Sequence, residues 1–279
     1  MTSLLATAVH FLILTQVTGL AWEGESCQLD MAETFFDDQY EGCTEQMEAK
    51  AHQLLTEELE ANKTVKSAWE EAAKHWDEIK DKIKGSIKNL EKLNAFQATA
   101  VVAYTGPIGT DFTKAIREFK SKKFRFKAFH YYLTTALQLL HEKKEYTVFR
   151  GSQARCNYPG KGNVRFGQFA SSSLSREQAI EFIKNKEGTL LTIQTTLGVD
   201  ISKLSLIPQQ QEVLIPGYEE YQDITAQPST GKFNEFSLKN PQKSKSFFNC
   251  YNSSGMREIS VFLLLLPGLL MLLLIHAEL

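Results

Sequence analysis

Arg150 closes the apolar run "YTVFRG" and is followed by Gly151. A guanidinium at a strand end offers a planar fork of donors to a phosphate, and a neighbouring glycine removes the Cβ that would hold the phosphate away. Read alone, Arg150 is better explained as a surface arginine that ends a strand. The run "FGQFASSS" ends in Ser171, Ser172 and Ser173. No histidine pattern accompanies them, so hydrogen bonding or capping suits them better than nucleophilic attack. In "QQQEVLIPGYEEY", Gln209 to Tyr221, Glu212 stands at the mouth of an apolar strand behind three neutral amides. It is either a catalytic carboxylate whose acidic neighbour has been replaced by an amide, or an ordinary glutamate at a strand edge.

The elements that must position these residues fall into two halves. Before His141 the chain reads helical: "TEQMEAKAHQLLTEELEAN" and "KSAWEEAAKHWDEIKDKIKGSIKNLEKL" are rich in strong helix formers with apolar residues at helical spacing. Their Glu and Lys runs read as solvated faces. "FKAFHYYLTTALQLL" sets Phe126, Phe129, Leu133, Leu137 and Leu140 on one face of a core helix, with His130 as a packing histidine. After His141 come short β-branched and aromatic runs, "YTVFRG", "VRFGQFASSS", "TLLTIQTTLGV", "EVLIPGY", "YQDITAQ" and "FNEFSL", punctuated by Gly, Pro and Asn. One helix interrupts them, opened by the capping-box pattern Ser175 to Gln178. Helices first and strands later point to an α+β domain, a mainly antiparallel sheet carrying helices on one side. No glycine-rich strand-to-helix turn or βαβ alternation supports a doubly wound nucleotide fold.

Both ends read as processing signals. The apolar run Leu4 to Leu14, followed by Thr18, Gly19 and Ala21, marks residues 1–20 as a secretory leader. Near the other end, Asn252, Ser253, Ser254 and Gly255 precede an apolar tail from Ile259 to Ile275. This matches a glycosylphosphatidylinositol signal, in which residues 254–279 are removed and Ser253, or alternatively Asn252, takes the anchor. A membrane-spanning helix competes with this reading, but no Lys or Arg follows the tail and Pro267-Gly268 interrupts it. The mature chain, 21–253, then reads as one domain and a monomer at the cell surface, held to the outer leaflet of the plasma membrane. In that oxidising compartment the four cysteines, Cys27, Cys43, Cys156 and Cys250, suggest up to two disulfides with three possible pairings. They lack metal-ligand spacing, so no metal is expected. "NKT" makes Asn62 a glycan acceptor. A net charge of −2 argues against nucleic acid as the main partner.

Taken as an ordered set, Arg at a strand end, then Phe-x-Ser-x-Ser, then Glu-Val-Leu-Ile-Pro resembles the arginine–serine–glutamate signature of the vertebrate ecto-mono-ADP-ribosyltransferases. The resemblance runs through "FDDQYEGC", "VAYTG", "KAFHYYLT", "VRFGQFASSSL", "EVLIPGYE" and "FNCYNS", and is most marked toward the lipid-anchored rodent T-cell branch. It implies an enzyme that consumes NAD as a substrate, with no resident cofactor. Arg150 would hold the pyrophosphate, and Gly151 would meet the nicotinamide amide through its backbone. Ser171 would lie by the nicotinamide ribose and orient Glu212, and Glu212 would bind the ribose 2′-hydroxyl and stabilise positive charge as nicotinamide leaves.

In family members that modify arginine, the position two before the catalytic glutamate is also glutamate; here it is Gln210. An amide supplies no charge to draw a guanidinium, so the resemblance implies NAD glycohydrolysis, with water as acceptor and weak transfer to protein arginine or to itself. A full arginine-specific transferase and a catalytically silent surface antigen are the alternatives. The family's terminal bridge matches Cys43 and Cys250. A second bridge of the rodent branch is missing at both ends, Glu145 and Thr196, while Cys27 and Cys156 are additional and their state stays open.

Overall fold

A computed structural model describes residues 27–120, 123–183, 187–227 and 233–253; the expected leader over 1–20 and tail over 254–279 lie outside them. The two Glu- and Lys-rich runs form α1 (Thr44–Ala61) and α2 (Lys63–Ile83). Each buries one narrow stripe, Met47, Ala51 and Leu55 on α1 and Val65, Trp69 and Ala72 on α2. Steps of three and four residues put these side chains on one helix face and leave the charges in water. Asn62 separates the two helices, and its side-chain oxygen accepts from the N–H groups of Thr64 (3.0 Å) and Val65 (3.2 Å). It thereby pairs donors that a new helix leaves open.

Three further helices, α3 (Ala95–Tyr104), α4 (Ile108–Arg117) and α5 (Lys127–Leu140), complete the helical layer. Asn94 and Gln97 form a reciprocal capping box at the start of α3, and every residue from Gln97 to Tyr104 is buried. Helix α5 buries the expected face and more, including Phe129, Leu133, Leu137 and Leu140. His130 receives the Tyr40 hydroxyl on Nδ1 at 2.9 Å, and burial drives its pKa down to about 3. It is a neutral packing histidine.

Strand β1 (Cys27–Gln28) pairs in parallel with β3 (Cys156–Asn157) as a small separate ribbon. The other strands are β2 (Tyr146–Ser152), β4 (Val164–Arg165), β5 (Ala170–Ser173), β6 (Thr189–Thr195), β7 (Val199–Asp200), β8 (Glu212–Ile215), β9 (Glu219–Gln227) and β10 (Asn234–Lys243). They form one sheet in the order β4-β9-β10-β6-β2-β5-β8-β7. Every neighbouring pair is antiparallel except β6 and β10.

One feature departs from the sequence reading. The run "VRFGQFASSS" is not one strand: β4 pairs with β9 at one end of the sheet, while β5 pairs with β2 and β8. The break falls at Gly167, where φ is +63° and a Cβ would lie 2.6 Å from the Cβ of Ala32. Only glycine turns the chain there. The helices form two groups on one face of the sheet, because Phe149 lies opposite Ser173 and Thr192, and Ser173 lies opposite Glu212, so Phe149, Leu190 and Leu214 point the same way. The apolar core of α1 to α5 reaches Phe169, Val199 and Leu214, whereas α6 (Arg176–Ile183) packs Ala179 and Ile183 on Leu190 and Phe149. Alternate residues Val148, Leu191, Ile193, Val213 and Ile215 share a third cluster, as the strand period of two requires.

The first and last stretches of the described residues are fastened together. Asp37 pairs with Arg165, both fully buried, and accepts from the N–H groups of Phe247 (3.1 Å) and Phe248 (3.0 Å). Asp38 accepts from those of Tyr40, Cys250 and Tyr251, and burial raises its pKa to about 6. A disulfide joins Cys43 to Cys250 across 207 residues, and another joins Cys27 to Cys156 across 129 residues. The segments "FDDQYEGC" and "FNCYNS" are therefore two halves of one contact.

Candidate active site

Three strands bring Arg150, Ser171 and Glu212 together. On β2, Arg150 lies opposite Leu191 and Gly151 opposite Leu190 of β6. Strands β5 and β8 are in register at Ser173 and Glu212, so Ser171 stands opposite Leu214. Between β2 and β5, by contrast, the ladder consists of the single pair Phe149 and Ser173. Carrying that register onward would set Gly151 opposite Ser171, but the pairing stops. Into this gap the Arg150 guanidinium donates to the Ser171 carbonyl oxygen at 2.5 Å.

Glu212 is only 5% exposed. It is no solvated strand-edge glutamate. Burial raises its pKa from 4.5 to about 7, against the Ser171 hydroxyl that hydrogen-bonds its carboxylate and the nearby Arg150 charge, both of which favour ionisation. Burial lowers the pKa of Arg150, and Tyr104 and Glu212 act in the opposite direction; a guanidinium remains charged in either case. The Arg150 Cζ also lies 5.9 Å from the centre of the Phe166 ring.

Gln210 ends a short 3₁₀ turn, Pro208 to Gln210, ahead of β8. Its backbone oxygen accepts from the Ser173 hydroxyl at 2.7 Å, and Gln211 follows with φ +48°. The half-buried side chain of Gln210 thus precedes Glu212 from a pinned backbone. Gly151 has a different reason for being glycine than closeness to a phosphate: a Cβ there would sit 2.1 Å from the Ala179 carbonyl oxygen. What its missing side chain admits is helix α6.

Sequence reasoning missed Tyr104. From the last residue of α3 its hydroxyl lies 3.1 Å from Ser171 Oγ and 3.3 Å from the Phe169 carbonyl oxygen. The only signal was the presence of "VAYTG" among the matching fragments, since a contact spanning 67 residues leaves no local pattern.

The remaining expected positions lie elsewhere. Asn62 is exposed, with its side-chain oxygen used as a helix cap. Ser253 is 3% exposed, and Lys50 Nζ donates to its carbonyl oxygen at 2.9 Å and to that of Asn252. The pairing of Tyr146 with Thr195 places Glu145 across from Thr196. Among the described residues no group of three or more His, Cys, Asp or Glu could hold a metal ion, and no helix is long and apolar enough to cross a membrane.

A helical layer on a mainly antiparallel sheet, with arginine, serine and glutamate meeting at a gap between strands, defines an ADP-ribosyltransferase fold. The family model described as NAD:arginine ADP-ribosyltransferase matches residues 29–246, and the chain belongs to that family of NAD-using enzymes. T-cell ecto-ADP-ribosyltransferase 1 of Rattus norvegicus is 49% identical over 95% of this chain and 95% of its own. T-cell ecto-ADP-ribosyltransferase 2 of Mus musculus is 47% identical over 95% of this chain and 94% of its own. The crystal structure of a mutant of the eukaryotic mono-ADP-ribosyltransferase ART2.2 in complex with NADH superposes with a TM-score of 0.73 at 49% identity. It covers 80% of this chain and 98% of that one. Another ART2.2 mutant, in complex with NAD, matches equally well, with a TM-score of 0.73.

Proposed function

We propose that this protein cleaves NAD at the nicotinamide–ribose bond and passes ADP-ribose chiefly to water, with protein arginine, or the enzyme itself, as a lesser acceptor. The observation that carries the reading is Glu212, buried and held by Ser171 and Arg150 beside the gap between β2 and β5. Nicotinamide leaves with the electron pair of the broken C–N bond. Positive charge then builds on the ribose, and a preorganised carboxylate in a water-poor site stabilises it. Water attacks the anomeric carbon and releases one proton, so NAD⁺ and water give ADP-ribose, nicotinamide and H⁺. Arg150 holds the pyrophosphate by its fork of donors, Gly151 meets the nicotinamide amide by its backbone, and Ser171 orients Glu212 beside the ribose 2′-hydroxyl.

Gln210 bears on the acceptor. It can hydrogen-bond a guanidinium but adds no charge to attract or activate one, whereas water does not depend on it. The setting is the cell surface, with Asn62 glycosylated and Ser253 carrying a lipid anchor after loss of 254–279; relatives named as ecto-ADP-ribosyltransferases support the extracellular part of this reading.

The test is product analysis with NAD, with and without excess agmatine, a small guanidine. Free ADP-ribose should dominate in the unaltered protein and shift toward the guanidine adduct in Gln210→Glu. Abundant adduct in the unaltered protein would establish the full transferase instead. No nicotinamide release at all would leave a silent surface antigen.

A further inference from the structure

Four large apolar side chains are left exposed among the described residues, and two of them, Phe247 at 47% and Tyr251 at 44%, stand in the short stretch before Ser253. Single exposed rings are ordinary on a protein surface. These two differ in being braced. Tyr251 packs edge-on against Phe119 (5.3 Å) and Phe248 (5.9 Å). Phe119 and Phe248 pack on each other at 4.9 Å and on Phe36 beneath them at 4.7 and 6.2 Å. Phe247 lies over the buried Arg165 guanidinium, 4.5 Å from its Cζ. The backbone is held as well: Asp37 and Asp38 accept from the N–H groups of Phe247, Phe248, Cys250 and Tyr251, and the disulfide to Cys43 fixes Cys250. Both rings therefore present apolar surface from a rigid base, with little conformational entropy left to lose on contact.

Cations adjoin them. Lys120 follows Phe119, and Lys123 precedes Phe124, whose ring lies 5.5 Å from that of Phe119. The carbonyl oxygen of Lys245 accepts at 3.3 Å from Arg165, beneath Phe247. All three lysines are exposed, and none forms an ion pair among the described residues. The acids of the neighbourhood are already engaged, Asp37 by Arg165, Asp38 by three backbone N–H groups, Glu41 by Lys243 and Glu118 by Lys114 at 4.0 Å. Rings flanked by lysines suit a membrane interface, where aromatic side chains settle at headgroup depth and ammonium groups reach the phosphates.

We infer that the face formed by Phe247, Tyr251, Lys120, Lys123 and Lys245 lies on the lipid bilayer to which the chain is tethered. This rests on the anchoring proposed for Ser253, just beyond Tyr251. Ser253 is itself held, with Lys50 donating to its carbonyl oxygen at 2.9 Å, so an anchor attached there leaves little slack between the lipid and the two rings. A contact too weak to hold a free protein becomes effective once a tether makes it intramolecular. That position favours the bilayer over a protein partner, because the anchor brings lipid to this face whatever else binds.

The test uses the anchored protein, purified from cells that process the full chain and placed in phosphatidylcholine vesicles, with a nitroxide attached through Lys245→Cys. Access of a water-soluble nickel chelate to the nitroxide is compared before and after release by phosphatidylinositol-specific phospholipase C. Covering two half-exposed rings should cut access in the vesicle-held protein roughly 5-fold, and release should restore it. Tyr251→Ser should raise access in the vesicle-held protein toward the released value. So should Lys120→Glu combined with Lys123→Glu, a surface pair that leaves the fold alone. Equal access in held and released protein, or variants that change nothing, would overturn the inference. Low access that persists after release would overturn it too, with a second copy covering the face. Failure of the phospholipase to release the protein would sink the lipid anchor alone, and the variants, compared in vesicles, would still decide the face.

Discussion

Two glutamates sit seven residues apart in "EVLIPGYE", and both are buried, Glu212 at 5% exposure and Glu219 at 0%. Their surroundings differ in one respect. Glu219 accepts from Thr195 Oγ1, the Thr196 N–H (2.7 Å) and hydroxyl (3.1 Å), the Leu197 N–H (2.8 Å) and the Tyr221 hydroxyl (2.8 Å). Glu212 has the Ser171 hydroxyl and the field of Arg150. A carboxylate kept for structure is saturated; one kept for chemistry retains lone pairs for a ligand and bears the cost of desolvation meanwhile. Glu219 also holds the turn at Thr196, where the rodent branch would have a cysteine, and His141 adds a 2.7 Å hydrogen bond to the Thr196 carbonyl. Polar satisfaction stands there in place of a covalent link.

The comparison can be broken by substitution. Glu219→Gln should destabilise the protein by roughly 3–5 kcal/mol, because the amide nitrogen faces donors already aimed at it; a melting scan reads the loss, and an unchanged melting temperature would end the structural assignment. Glu212→Gln should cut nicotinamide release at least ~100-fold while leaving the fold intact. Its stability effect has a defined sign. The Glu212 pKa is raised from 4.5 to about 7, so its contribution is fully present below the unfolded value and lost as pH rises through 7. Glu212→Gln should therefore melt higher than the parent at pH 8 and lose that advantage near pH 5, as melting scans at the two pH values would show. Activity runs the other way, with kcat/KM of the parent rising through about pH 7 as the carboxylate ionises.

Smaller changes sharpen the contrast. Ser171→Ala takes away the one side-chain donor of Glu212 and should shift the kcat/KM profile to higher pH, with a fall of about tenfold at pH 7. Tyr221→Phe removes one donor among several from Glu219 and should cost only about 1 kcal/mol with kcat unchanged, which denaturant unfolding and steady-state rates would check together.

How far the site was legible before the fold was known follows from range. Glu212, Ser171 and Arg150 stand at the ends of runs whose strand character is local, and their order along the chain carried the resemblance. The packing histidine, the core face of α5 and the solvated faces of α1 and α2 are periodic features and could be read directly. What stayed hidden depends on contacts between distant segments. Gly167 looked like a glycine within one strand because Ala32, whose Cβ closes on it, lies far upstream. Gly151 looked like a concession to a ligand because nothing local shows α6 lying on it. Tyr104 ended an apolar helix like any core aromatic. The pairing of Cys27 with Cys156 could not be told from composition, since it needs the parallel ribbon of β1 and β3.

The Cys43–Cys250 bridge, finally, sets a path for mechanical load. A pull on the chain beyond Ser253, such as a membrane tether would exert, meets Cys250 almost at once and passes through the disulfide into the start of α1, with Lys50 gripping the last described carbonyls. The force leaves by the helical layer. Strand β10, and through it the sheet that holds Arg150 and Glu212 in register, stays slack.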